Sequence, residues 1–202
     1  MSAATIRERI LDNLRVRLPG AIDSAIKLEL FNVLDELCRD ARLWREKISL
    51  TVTAANITAE KVEYEVDPSD GVIVGLMDLR NSDDIPVKGS MDIPGVLEFD
   101  EVPGTADTFE VTVALAPSDI RTSDDMPVIE DWIWEKHYQT IIAGVLSNMM
   151  AQAAKPYSNE RLGVYHGRKF RGGVASARTE ALHSHKYGGQ TWRFPHFARG
   201  GR

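Results

Sequence analysis

The residues of this chain best suited to chemistry are few and scattered. His183-x-His185 has a ligand-like spacing, because alternate residues of an extended chain face one side. A metal site also needs a third and fourth ligand. The single thiol, Cys38, falls at core spacing on a predicted helix, and residues 183–202 contain no Asp or Glu. No metal site is therefore expected. Nucleophilic catalysis lacks a Gly-x-Ser-x-Gly elbow and a legible Cys–His pairing. Paired carboxylates occur at Asp83-Asp84, Asp100-Glu101 and Asp124-Asp125, all at turns or helix starts, where acids form turns and caps. No Gly-x-x-x-x-Gly-Lys-Ser/Thr phosphate loop is present, and Gly172-Gly173 lies within a helical stretch rather than after a strand. The expectation is a protein that is not an enzyme and carries no cofactor.

Surface chemistry carries more. Arg161, Arg168, Lys169, Arg171 and Arg178 lie on one predicted helix. Positions 161, 168, 171 and 178 share one face of it. Such a stripe can meet phosphates or an acidic protein, and in an acidic chain the protein partner is favoured, including the acidic region of a neighbouring copy. Residues 183–202 have neither helix nor strand period, yet hold Tyr187, Trp192, Phe194 and Phe197 beside Arg193, Arg199 and Arg202. A solvated tail has little reason to hold four large aromatics. An extended arm ordered against a partner is expected, with folding back on its own domain as the alternative.

The elements that must position these residues follow from periodicity. Ile6, Ile10, Leu14 and Leu18 recur at helical spacing until Pro19-Gly20 stops them. A second helix from about Ala21 to Arg42 has the stripe Ile26, Leu30, Val33, Leu34, Leu37, Cys38 and Ala41. The period then becomes two. Ile48-x-Leu50-x-Val52, Val62-x-Tyr64-x-Val66 and Phe109-x-Val111-x-Val113-x-Leu115 read as half-buried strands. Segments 72–77, 85–87 and 96–99 lie between them, separated by turn signals. Helix returns after Asp124-Asp-Met-Pro127 and runs to about Ala154, with Trp132, Ile133, Ile142, Val145, Leu146, Met149 and Met150 on its apolar face. Ser158 is read as the cap of a last helix to about Ala181, with Leu162, Tyr165, Phe170, Val174 and Ala177 inward and Gly172-Gly173 weakening it. The expected fold is α+β: an antiparallel four-helix bundle with an inserted small antiparallel β-sheet or sandwich domain and an extended C-terminal arm. The expected divisions are residues 1–45 and 123–182 for the two helical hairpins, 46–122 for the β domain and 183–202 for the arm.

Composition bounds the function classes. The 202 residues are 43% apolar and 27% charged, which suits a globular chain with a real core. No apolar run approaches the roughly 18–20 residues that span a bilayer, and the first ten residues lack an apolar signal core, so neither a membrane partner nor secretion is expected. The net charge of −6 divides unevenly. Residues 46–125 carry five Lys/Arg and eighteen Asp/Glu, or −13, whereas residues 155–202 carry ten and two, or +8. That asymmetry concerns surfaces and partners rather than fold.

Several local strings and the order of elements resemble the head-to-tail connector, or portal adaptor, proteins of tailed bacteriophages. The strings are Leu18-Pro-Gly-Ala-Ile22 leading into Glu29-Leu-Phe-Asn-Val-Leu-Asp-Glu-Leu37, then Leu43-Trp-Arg-Glu46, Tyr64 with Asp67-Pro68, Ala114-Leu-Ala-Pro-Ser118, Pro127-Val-Ile-Glu-Asp-Trp-Ile133 and Lys155-Pro-Tyr-Ser-Asn159. The resemblance covers about residues 1–182 and contains no catalytic signature. It implies a structural virion protein, assembled in the host cytoplasm and located at the capsid portal vertex. Such adaptors form a ring, usually of twelve copies, that joins the portal protein to tail or nozzle proteins and extends the exit channel for double-stranded DNA. C-terminal segments commonly bind the portal. The independent reading agrees with this. The face of Arg161, Arg168, Arg171 and Arg178 supplies one side of a heterologous ring interface and an acidic β face the other. Tyr187, Trp192, Arg193, Phe194, Phe197, Arg199 and Arg202 supply an anchor for the portal. Negative charge along a lumen would let DNA pass without specific binding. The rival readings are a tail terminator or tail-tube joining protein, and a DNA-binding protein that uses the basic helix.

Overall fold

The computed structural model describes residues 3–53, 63–65, 68, 71–100, 107–118 and 129–183. Helix α1 (Ala3–Arg17) ends at the Pro19-Gly20 stop, where Gly20 takes φ +83°, the left-handed conformation that glycine adopts without strain. Helix α2 (Asp23–Ala41) buries Ile26, Leu30, Val33, Leu34, Leu37, Cys38 and Ala41, and Arg42 closes it with a backbone N–H to the Cys38 carbonyl. Burial pushes the Cys38 thiol up to about 12, which suits a packing residue and not a nucleophile.

The strands form two antiparallel sheets. Strand β6 (Asp107–Ala116) is the centre of one, flanked by β1 (Arg45–Val52) and β3 (Val72–Arg80). Strand β5 (Val96–Phe99) is the centre of the other, flanked by β2 (Glu63–Glu65) and β4 (Gly89–Ile93). Phe99 meets Phe109 edge to face with ring centroids 4.8 Å apart, so β5 turns its Leu97/Phe99 side toward the first sheet. Along β6, Phe109 and Val111 alternate with the more exposed Glu110 and Thr112, as a half-buried strand should. From Val113 to Ala116 every residue is buried, because this end also packs on α2.

Helix α3 (Asp131–Met150) lies against α1, α2 and α4 (Glu160–His183). From Ile141 to Leu146 it is buried without interruption, the signature of a helix surrounded by others. At Gly144 an added Cβ would stand 2.6 Å from Val33 and 3.0 Å from Phe170, so α2, α3 and α4 meet there at close range.

The expected antiparallel four-helix bundle with an inserted sheet is not formed. The described residues are α+β with four helices and two small antiparallel sheets. One hydrophobic core runs from Ile10 and Leu14 through Leu37, Val111 and Leu115 to Leu146, with Leu97 and Phe99 in the same cluster. The physical reason is the pattern of apolar surface. The 141–146 stretch of α3 is buried on every side, and it is enclosed unequally, with α1 and α2 scarcely touching each other. The Val113–Ala116 end of β6 packs on α2 and joins the first sheet to the same core. Segment 85–87 is not a strand either. Pro86 offers no N–H to a ladder and forms only an isolated bridge with Arg80.

Candidate interaction surface

Helix α4 presents the candidate surface. Its start is held by Asn159, whose side-chain oxygen accepts from the Leu162 N–H at 3.1 Å, while the Ser158 hydroxyl is engaged by Lys155 and Gln152. The cap is thus Asn159 and not Ser158. Its far end is held by Arg45, whose Nη2 donates to the Ala181 carbonyl at 2.7 Å. A cation at a helix C-terminus satisfies an otherwise unpaired carbonyl and complements the helix dipole.

The inward line of α4 is Gly163, Phe170 and Ala177, spaced by seven residues. The Ser147 hydroxyl donates to the Gly163 carbonyl at 3.1 Å, and Gly173 rests on Thr140. Small residues let α3 and α4 approach closely. The apolar residues expected inward divide accordingly. Phe170 and Ala177 are buried and Val174 is half-buried, whereas Leu162 and Tyr165 are exposed. On α3, Trp132 is also exposed at 40%, and Trp134 takes the buried place. Gly163 on the inward line was the signal that could have corrected the reading, since seven-residue spacing from Phe170 leads to it.

Arg161, Arg168, Arg171 and Arg178 all lie on the opposite, exposed side of α4. At 3.6 residues per turn they occupy an arc of about 100° and extend for about 26 Å. None of the four is ion-paired to a described residue. Other exposed arginines of the chain do find acids: Arg15 pairs with Asp12 and Asp23, Arg39 with Asp35, and Arg80 with Asp78 and Asp84. Apolar side chains lie among the α4 arginines. Val164 is 51% exposed, Tyr165 60% and Leu182 66%. An open groove of about 790 Å³ between α1 and α3 adds a second surface, where Ile6, Ile10, Val16, Tyr138 and Ile142 are joined by Arg9, Asp12, Asn13, Arg17 and Glu135.

The remaining candidates separate. Tyr187, Trp192, Arg193, Phe194, Phe197, Arg199 and Arg202 lie outside the described residues, as does His185. His183 is the last residue of α4. Asp83 and Asp84 form the β3–β4 turn, where Asn81 Oδ1 accepts from the Asp83 and Ile85 N–H groups. Among the described residues, no three His, Cys, Asp or Glu side chains are placed to share a metal ion, and no helix is long and apolar enough to cross a membrane. No protein-family model matches the chain, and no curated protein matches it.

Proposed function

We propose that the chain is a ring-forming adaptor at the portal vertex of a tailed bacteriophage, joining the capsid to the tail and extending the DNA exit channel. One observation carries this reading: a long exposed helical face with four arginines that make no ion pair to a described residue, interleaved with apolar residues, on a chain of net charge −6. An exposed mixed face of this kind fits a protein partner, because apolar side chains gain from dry burial and arginine pairs with carboxylates. A ring needs a heterologous contact, with two different faces of the same chain complementing each other. The Arg161, Arg168, Arg171 and Arg178 face supplies one of them.

The arm of residues 183–202 anchors the portal in this reading, through Tyr187, Trp192, Phe194 and Phe197 in grooves between portal subunits and Arg193, Arg199 and Arg202 at their rims. The acidic excess of residues 46–125 discourages DNA from adhering as it passes. Electron-microscope class averages of the full chain mixed with the portal protein of the same phage test the proposal. A ring seated on the portal is expected. A bare portal at saturating chain would refute it.

A further inference from the structure

Helices α2 and α4 pack on each other and carry opposite charge on one side of the molecule. Each runs antiparallel to α3. Val33 and Phe170 meet at Gly144, and one turn farther along α3 Glu29 accepts from Asn148 at 2.6 Å while Gly167 lies beside Ser147. Helices α2 and α4 are therefore parallel. Counted from the shared contact at Gly144, Glu29 is level with His166, Glu36 with Gly173 and Asp40 with Ala177. Glu29, Glu36 and Asp40 follow one another at seven and four residues and form one line on α2. Glu36 and Asp40 make no ion pair to a described residue, and the adjacent Arg39 is taken by Asp35. Partial burial, with Asp40 and Glu29 adding to it, raises the Glu36 carboxyl above its ordinary range. Glu36 and the α4 residues Val164 and Arg171 line one open cleft of about 570 Å³, so the acidic line and the arginine line border the same surface.

A surface with an acidic line beside a basic one is complementary to itself. We propose that this α2–α4 surface pairs with the same surface of a second copy about a two-fold axis parallel to the helices. Such an axis lays α2 of each copy over α4 of the other, in the same direction and at unchanged level. Arg168, Arg171 and Arg178 lie within two residues of the levels of Glu29, Glu36 and Asp40, an offset of at most about 3 Å along the axis. Arg168 therefore faces Glu29, Arg171 faces Glu36 and Arg178 faces Asp40 of the second copy, and the symmetry makes each pair twice. A two-fold axis across the helices would lay arginines on arginines instead. Ile22 at the start of α2, with Val164 and Leu182 on α4, is more than half exposed and gains burial beside the charged rows. Nucleic acid is the poorer occupant, because the α2 acids beside the arginines repel phosphates. The inference goes beyond the ring reading. A two-fold contact closes at two copies, and its arginines are those assigned to the ring, so a copy leaves the pair before it joins a ring.

Sedimentation velocity of the full chain, over a concentration series and without the portal, tests the pair by charge exchange. A species of two copies is expected, weakening as salt rises. The Arg171→Glu/Arg178→Glu variant and the Glu36→Lys/Asp40→Lys variant should each pair at least about tenfold more weakly than the native chain. An equimolar mixture of the two should restore pairing and stop at one copy of each, and all four changes in one chain should restore it as well. Thermal melts of each variant separate lost pairing from unfolding, and recovery in the combined chain is a second control. A native chain that stays single at every concentration would overturn the pair. So would a single-face variant that pairs normally, or a combined variant that folds but fails to recover. Growth beyond two copies in free solution would overturn the two-fold contact and assign the α4 face to a head-to-tail one. None of these outcomes depends on a ring seating on the portal, which tests the adaptor reading by itself.

Discussion

Adjacent glycines at 172 and 173 have opposite roles in α4. A Cβ added at Gly172 meets nothing within 4 Å, whereas one added at Gly173 would stand 2.4 Å from Thr140 Oγ1, 2.6 Å from its Cγ2 and 3.0 Å from its Cβ. Both branches of Thr140 are crowded, so no rotation of that side chain relieves the clash. Gly172→Ala should therefore stabilise the protein by up to about 1 kcal/mol, the helix-propensity gain of alanine over glycine. Gly173→Ala should destabilise it by about 1–3 kcal/mol, the usual cost of overpacking. Urea denaturation midpoints check both, and Thr140→Ala combined with Gly173→Ala should recover much of the loss. Equal shifts for the two alanines would contradict the close approach of α3 and α4. Read as a sequence, the pair is only a weak point in a helix. The distinction between them is a tertiary fact, because only the packed neighbour tells which glycine is needed.

The seam between α3 and α4 also sets a pH dependence. Burial holds the imidazole of His137 below its ordinary 6.5, with Lys136 acting in the same direction and Glu180 opposing. Burial likewise lowers His166, with Arg17 and Lys169 adding to the effect. The unfolded chain therefore takes up these protons before the folded one does. Stability from both groups is complete above about 6.5 and is lost as pH falls from there toward the lower folded values. Asp23, lowered by Arg15, acts in a separate window, because its contribution persists until pH falls below the ordinary carboxylate range. The melting temperature should drop between roughly pH 7.5 and 5.5, and His137→Gln should flatten that drop. A flat profile in the native protein would reject the assignment. The elements themselves were unequally legible. Helix α2 could be read directly, since its apolar stripe from Ile26 to Ala41 is also its buried face. Strands β1 and β6 were legible from their alternation. Strand β4 was not, because Gly89-Ser-Met-Asp-Ile93 has no alternation of its own and is defined by pairing with β5. The bundle was not legible because α1 and α2, expected to pair as a hairpin, scarcely touch, while α3 packs against α1, α2 and α4. Of the candidate site, the arginine face followed from seven- and three-residue spacing, but the exposed apolar residues among the arginines did not. Apolar side chains are ordinarily read as inward-facing, and here the inward line begins with Gly163 rather than with Leu162 or Tyr165.

At the scale of the whole molecule, the division of charge along the chain is matched by a division of labour in the fold. The hydrophobic core, including the half-buried residues packed against it, runs from Ile6 to Ala181. The Arg45 clamp on the Ala181 carbonyl holds the last turn of α4. The proposed reading assigns the four aromatics of residues 183–202 to another protein rather than to this core. In the proposed reading, self-association through α4 and portal binding through residues 183–202 are separable properties. A chain ending at Leu182 should melt within a few degrees of the full chain if the arm is a partner-binding segment, since it keeps every core residue of the described fold; a stability change below about 1 kcal/mol moves the midpoint of a chain this size by only about 2–4 °C. The shortened chain should still associate with copies of itself, and that association should weaken as salt rises, because the α4 arginines are exposed and screened within about 8–10 Å. Its binding to the portal should fall by at least about a hundredfold, the loss expected when two or more aromatic hot spots are removed together. Pull-down and sedimentation with the portal protein measure the last quantity, and melting checks the first. Retention of full portal affinity by the chain ending at Leu182 would remove the arm from the interface and move the portal contact to the described fold, where the open groove between α1 and α3, with Val16 83% exposed, is the apolar surface left to provide it.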